Sequence, residues 1–288
     1  MHSKLYNNLK TGLFLGLLTG LILAAGALIG GQQGVIIALF SAAAMNFFGY
    51  FFSDKIALMT MRAQQVGPEH PLYQIVQQLT ARAGLPMPRV YVSPAAAPNA
   101  FATGRSPRHA AVCATEGLLA MLDRDEVAGV MAHELAHVKH RDILIQSVAA
   151  TIAGAISVLA YGMMYGGYGR RSRDDYHPLV GLLLLILGPL AAGLIQMAIS
   201  RSREFNADKA GAEYLGDPMP LARALEKIHA GNRQIPLEVN PAFNSMFIAE
   251  PGSLMKSVGN LFQTHPPLEA RLMNLIGRPS TGQFGYME

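Results

Sequence analysis

His133 and His137 stand four residues apart, with Glu134 between them, in the run Met131-Ala-His-Glu-Leu-Ala-His-Val-Lys-His140. On a helix of 3.6 residues per turn, positions i and i+4 share a face about 6 Å apart along the axis, so both imidazoles can reach one tetrahedral zinc. Glu134 is turned about 100° from His133, beside the ligand set and not in it. A carboxylate placed there can take a proton from water that the metal activates.

That chemistry requires a helix, and the flanking residues predict one. Asp123 followed by Glu126 reads as an N-cap with its capping-box partner. Val127, Val130, Met131, Leu135 and Val138 then recur at helical spacing. With no Gly or Pro between Met131 and Gln146, the helix is expected to pass directly into the apolar stretch that follows.

A catalytic zinc usually takes a third protein ligand. His140, His229, His265 and the acidic residues are the candidates. His140 shares the helical face of the pair, but three ligands from one straight helix wrap a tetrahedral ion poorly. In Glu204-Phe-Asn-Ala-Asp208, two carboxylates stand at i and i+4, so one can bind metal while the other supports it from behind. The same pair equally suits an ordinary acidic helix start. His265, taken alone, reads as a helix-start residue before Pro266.

Composition sets the surroundings. The 288 residues are 51% hydrophobic and only 15% charged, where about 25% charged is usual for soluble proteins. The surplus points to a membrane. A net charge of +4, with no Lys/Arg run interleaved with aromatics, argues against a nucleic-acid partner. The single Cys113 permits no intramolecular disulfide and suits a reducing compartment. Within Ala110-Ala-Val-Cys-Ala114 it reads as a buried strand residue, not a nucleophile.

Four regions follow in order: an N-terminal hairpin (1–54), a first catalytic part (55–146), a second apolar hairpin (147–200) and a second catalytic part (201–288). Residues 11–52 carry no charge and divide into two spans, 11–29 and 35–52, around the turn Gly30-Gly-Gln-Gln-Gly34. A cleaved signal is the alternative for the first span, but its apolar run is too long and a second span follows at once. Lys4, Lys10, Lys55 and Arg62 flank the hairpin, and the turn has none. The positive-inside rule then puts both ends and the catalytic parts in the cytoplasm. In the second hairpin, Arg170, Arg171 and Arg173 sit in the tip against that rule, with Asp174 and Asp175 partly offsetting them. That pair suits a shallow seat against the domain as well as a full crossing.

Between the hairpins, the periodicity predicts a helix at 71–83, strands at 89–93, 99–103 and 110–115, and a short lead-in at 117–122. Helices are expected from 201 to about 216, over 220–230, and from Thr264-His-Pro-Pro267 through 275. The fold class is mainly α with a small β-sheet, α+β.

Four motifs in the same order carry a resemblance over nearly the whole chain: Pro98-Asn-Ala-Phe-Ala-Thr-Gly104, His133-Glu-Leu-Ala-His137, Ser202-Arg-Glu-Phe-Asn-Ala-Asp208, and Thr264-His-Pro-Pro267 with Arg271. With them the chain resembles the HtpX family of bacterial membrane zinc proteases, related to the CAAX prenyl proteases. The resemblance implies a zincin-like metalloprotease domain with two transmembrane hairpins in the bacterial inner membrane, acting in stress-linked quality control. It implies one Zn2+ held by His133, His137 and Glu204, with Glu134 as the base and Asp208 as an accessory acid. His265 and Arg271 would lie near the metal and stabilise the reacting carbonyl. Asn99, Ala100, Phe101 and Thr103 would form the edge strand that pairs with polypeptide substrates. A multi-span scaffold with a structural zinc is the competing class. It would need a closed four-ligand site and would have no use for Glu134.

Overall fold

β4 (Ala110–Thr115) is Ala-Ala-Val-Cys-Ala-Thr, buried at every residue. A strand so uniformly apolar must be covered on both faces. The computed structural model describes residues 2–147, 201–234 and 266–279. The expected second hairpin, the loop after it and His265 lie outside those residues.

β4 sits inside a four-stranded mixed sheet of order β1-β2-β4-β3. β1 is the short Gln64–Gln65, which the sequence periodicity does not reveal, and β2 is Arg89–Ser93, parallel to β4 with Arg89 opposite Ala111. β3 (Ala100–Gly104) runs antiparallel to β4 with Phe101 opposite Cys113, and is an edge strand among the described residues. Alternation sorts the residues by face. Val90, Ala100, Ala102, Val112 and Ala114 join the main core, while Phe101, Ala111 and Cys113 pack against the end of the N-terminal helix. Burial there pushes the Cys113 thiol pKa well above its ordinary value, so the residue is packing and not a nucleophile.

That N-terminal helix, α1 (His2–Thr60), breaks once, at Gly31 with φ 54 and ψ −135. The break is narrower than the five-residue turn expected. Only glycine enters this backbone region freely. The two arms fold back on each other, and Asn46 Nδ2 donates to Thr19 Oγ1 at 2.9 Å. Gly26 and Gly34 let the backbones touch, since a Cβ on Gly26 would meet the Gly34 carbonyl oxygen at 2.5 Å. Among the described residues, one stretch, Gly30–Thr60, is long and apolar enough to cross a membrane.

α2 (Pro71–Ala83), α3 (Glu116–Met121) and α4 (Arg124–His140) cover the sheet's other face. α4 starts as expected: Glu126 N–H donates to Asp123 Oδ1 at 2.9 Å, and Asp123 N–H donates to Glu126 Oε2 at 3.0 Å. It ends differently. Arg141 takes the left-handed conformation at φ 62 and closes the helix on the His137 and Val138 carbonyls. The chain then turns helical again over 142–147.

α5 (Arg201–Leu215) and α6 (Met219–Gln234) pack on α4, and α7 (Leu268–Ile276) closes over α5 and α6. Two glycines set the spacing. A Cβ on Gly129 would meet Leu221 N of α6 at 2.7 Å, and one on Gly211 would meet His133 N at 2.9 Å. With Ala207 and Ala210 on the same side of α5, this seam brings α5 close to α4.

Gly211→Val should therefore force the helices apart. We expect a loss of about 1–3 kcal/mol, read as a lower melting temperature, together with weaker metal binding. A variant that melts and binds metal like the parent would mean the seam does not set this spacing.

Candidate active site

Three side chains converge where α4 meets α5. His133 and His137 present Nε2 atoms 3.2 Å apart. Glu204 Oε1 lies 3.5 Å from His137 Nε2, and Oε2 lies 3.7 Å from His133 Nε2. All three residues are buried, and their ligand atoms lie within 4.8 Å of one another. His140 sits at the end of α4 and His229 is exposed on α6; neither joins the cluster, and His265 lies outside the described residues.

Both remaining imidazole nitrogens have acid partners. Asp208 Oδ1 lies 2.8 Å from His133 Nδ1, and Asp142 Oδ2 lies 3.2 Å from His137 Nδ1. With the Nδ1 atoms turned to carboxylates, the two Nε2 atoms are left facing the gap, free to act as ligands when deprotonated. Around a small tetrahedral cation with bonds of about 2.0–2.1 Å, ligand atoms stand ~3.3–3.4 Å apart. The observed distances fit.

Charge points the same way. Glu134, Asp142, Glu204 and Asp208 are buried together, with the guanidiniums of Arg203 and Arg271 beside them. Among the described residues these carboxylates outnumber the arginines, so the cluster favours added positive charge, which a proton on His137 or a dication can supply.

The protonation preferences follow. Burial takes His133 down to about 4 despite the Asp208 hydrogen bond. Burial would lower His137 too, but Glu204 and Asp142 outweigh it and raise the group to about 9. The acids that hold this proton are the ones a cation would neutralise. Burial lifts Glu134 to about 7, with His137 opposing, Glu204 adding, and the Ala102 backbone N–H opposing again.

That last hydrogen bond ties Glu134 to β3. Ala102 points its N–H at Glu134, and Gly104 N–H donates to Ser147 Oγ at 3.3 Å. Even-numbered residues therefore turn their polar backbone groups outward, away from β4. Thr103 is buried with its hydroxyl 2.8 Å from Ser147 Oγ. Asn99, just before the strand, pairs its backbone with Thr115: its N–H donates to Thr115 Oγ1 and its carbonyl accepts from Thr115 N–H.

Residues 68–278 match the model of peptidase family M48. The chain belongs to peptidase family M48. A Protease HtpX homolog of Desulfatibacillum aliphaticivorans is 51% identical over 284 residues, covering 96% of this chain and 91% of that one. Another, from Syntrophotalea carbinolica, is 52% identical, covering 93% and 98%. The crystal structure of S. mikatae Ste24p shares the fold, with TM-score 0.50 at 18% identity, covering 96% of this chain and 67% of that chain. As an M48 peptidase of the HtpX kind, this protein is a metalloprotease.

Arg271 lies at the site, beside His133. Its Nε lies 2.9 Å from Asp208 Oδ2, another nitrogen pairs with Oδ1, and that nitrogen lies 3.4 Å from His133 Nδ1. The guanidinium thus meets His133 at Nδ1, and its charge also acts on Glu134 and Glu204. Two residues escaped the sequence reading: Asp142 and Arg203. The signal available was the general need of a ligating histidine for an acid on its other nitrogen.

Burial pushes the Asp208 carboxyl up, but Arg271 and His133 outweigh it and hold it at about 2. The stability this contributes is present above the ordinary carboxyl pKa and is lost as pH falls through about 2. Asp208→Ala removes the bidentate carboxylate partner of the buried Arg271, so we expect a cost of about 3–5 kcal/mol in denaturant unfolding. Adding Arg271→Leu should recover part of that loss. Additive losses would show that the two side chains are not coupled.

Proposed function

We propose that this M48 peptidase is a zinc-dependent endopeptidase of the bacterial cytoplasmic membrane, with its catalytic domain in the cytoplasm. It would cleave misfolded or membrane proteins in stress-linked quality control. The observation that carries the reading is the pair of His Nε2 atoms 3.2 Å apart, with Glu204 beside them and Glu134 adjacent on the same helix. His133, His137 and Glu204 would hold the zinc. When bound, zinc supplies a Lewis acid that polarises the scissile carbonyl and acidifies water.

The chain's own groups do the rest. Glu134, lifted toward neutrality by burial, accepts a proton from the attacking water and delivers it to the leaving amine nitrogen as the C–N bond breaks. The Ala102 N–H holds that carboxylate at the edge of β3. β3 lies beside it to pair with the backbone of an extended peptide, which binds many sequences with little selectivity. Asp208 orients His133, and Arg271 anchors Asp208. His265 retains its place as a candidate for stabilising the oxyanion. The apolar stretch Gly30–Thr60 supports a bilayer partner. Lys4, Lys10, Lys55 and Arg62 support the cytoplasmic orientation.

Glu134→Gln keeps the shape and removes the base. We expect a folded, zinc-loaded protein whose cleavage of casein in detergent drops on the order of 100-fold to 10,000-fold. Near-normal proteolysis with normal zinc would refute Glu134 as the base, and loss of zinc would make it a ligand. Orientation has its own test: a phosphatase active only in the periplasm, fused after Glu288, should be inactive. An active fusion would reverse the topology.

A further inference from the structure

His137 has a partner that the family motifs leave out. We propose that Asp142 is the positioning residue for His137, anchored by Arg203, and that the left-handed turn at Arg141 brings it into place. The proposal rests on reading His137 as a zinc ligand through Nε2.

The geometry is specific. If α4 ran on, residue 142 would stand five positions beyond His137, about 140° around the helix and facing away from it. The chain instead breaks at Arg141, with φ 62 and ψ 30. An L-residue with a side chain seldom adopts that conformation, and such departures cluster at functional sites. The break returns the Asp142 carboxylate to His137 Nδ1, at 3.2 Å. Its other oxygen lies 3.9 Å from Arg203 Nε, and the Asp142 side chain is 2% exposed.

Two parallel arms result. His133 leans on Asp208 and Arg271, and His137 leans on Asp142 and Arg203. An Nδ1–H donated to Asp142 fixes the ring and leaves Nε2 as the lone pair aimed at His133. Arg203 lies one residue before Glu204 on α5, so the second arm also ties the end of α4 to the element that supplies the third ligand.

A merely structural duty is open to Asp142, which starts the helical segment 142–147. Serine, another small polar residue suited to a helix start, would keep that duty largely intact but is too short to reach His137. In full-length protein in detergent, the zinc Kd is read by competition with a chromophoric chelator. Asp142→Ser should raise the Kd by about 10–100-fold. Asp142→Asn, whose amide oxygen still accepts from Nδ1–H, should fall between it and the wild type. Arg141→Gly, which favours the same turn, should bind like the wild type. Equal Kd values for Asp142→Ser and the wild type would overturn the proposal and leave the zinc reading standing. A wild type that binds no zinc would overturn both. Independently of any variant's folding, nitrogen shifts of the histidine rings in the zinc-loaded wild type should show His137 protonated at Nδ1. A proton on Nε2, with Nδ1 ligated, would refute the assignment.

Discussion

Two imidazole nitrogens 3.2 Å apart, among four buried carboxylates, form an arrangement that a protein interior does not support by itself. Burying an ion costs several kcal/mol unless its charge is answered nearby. A pocket this rich in carboxylates draws positive charge, whether a proton on His137 or a metal ion. The rest of the described structure either holds these groups against their mutual repulsion or supplies the counter-charges that limit it. Arg271, a full guanidinium at 2% exposure, makes sense only in that frame: its bidentate pairing with Asp208 offsets the burial of both.

α4 can host such a site because its faces do different work. Val127, Val130, Met131, Leu135 and Val138 bury apolar area in the main core, at about 25 cal/mol per Å2. That burial holds the helix in place whatever the histidines require. The face toward α5 is small instead, with Ala136 against Ala207 and Ala210, and Gly211 against the His133 backbone. Large apolar residues there would bury more area but push Glu204 beyond reach. Packing yields to ligand distance at this seam.

Much of this was legible in the sequence, for identifiable reasons. α2 and β2 fall where periodicity put them, and the Asp123–Glu126 box forms as read, because caps and alternation are local chemistry. The convergence of Glu204 with the histidines is not local, and spacing alone left it level with an ordinary helix start. Only the combination of motifs pointed to it. The end of α4 was hidden for a different reason: nothing in Lys139-His-Arg-Asp142 forbids a continued helix. Tertiary pairing of Asp142 with His137 and Arg203 favours a left-handed arginine that local propensity would reject. β1, two residues long, is too short for any period to mark.

The N-terminal helix relates to the site through β3. Gly30–Thr60 spans 31 residues, about 46 Å at 1.5 Å per residue, against about 30 Å of hydrocarbon in a bilayer. The surplus is not idle length. Charges resume at Asp54, whose carboxylate pairs with Arg89 of β2. Ala57, Leu58 and Met61 then pack on Phe101, Ala111 and Cys113, and Ser93 Oγ donates to the Met61 carbonyl at 2.6 Å. Phe101 belongs to the edge strand, and its neighbour Ala102 faces the opposite way and donates to Glu134. One strand two side chains thick thus separates the apolar helix from the candidate base. A shift of α1 relative to the sheet moves Phe101, and with it the backbone that positions Glu134. The end of α1 and the candidate base thus meet opposite sides of one strand.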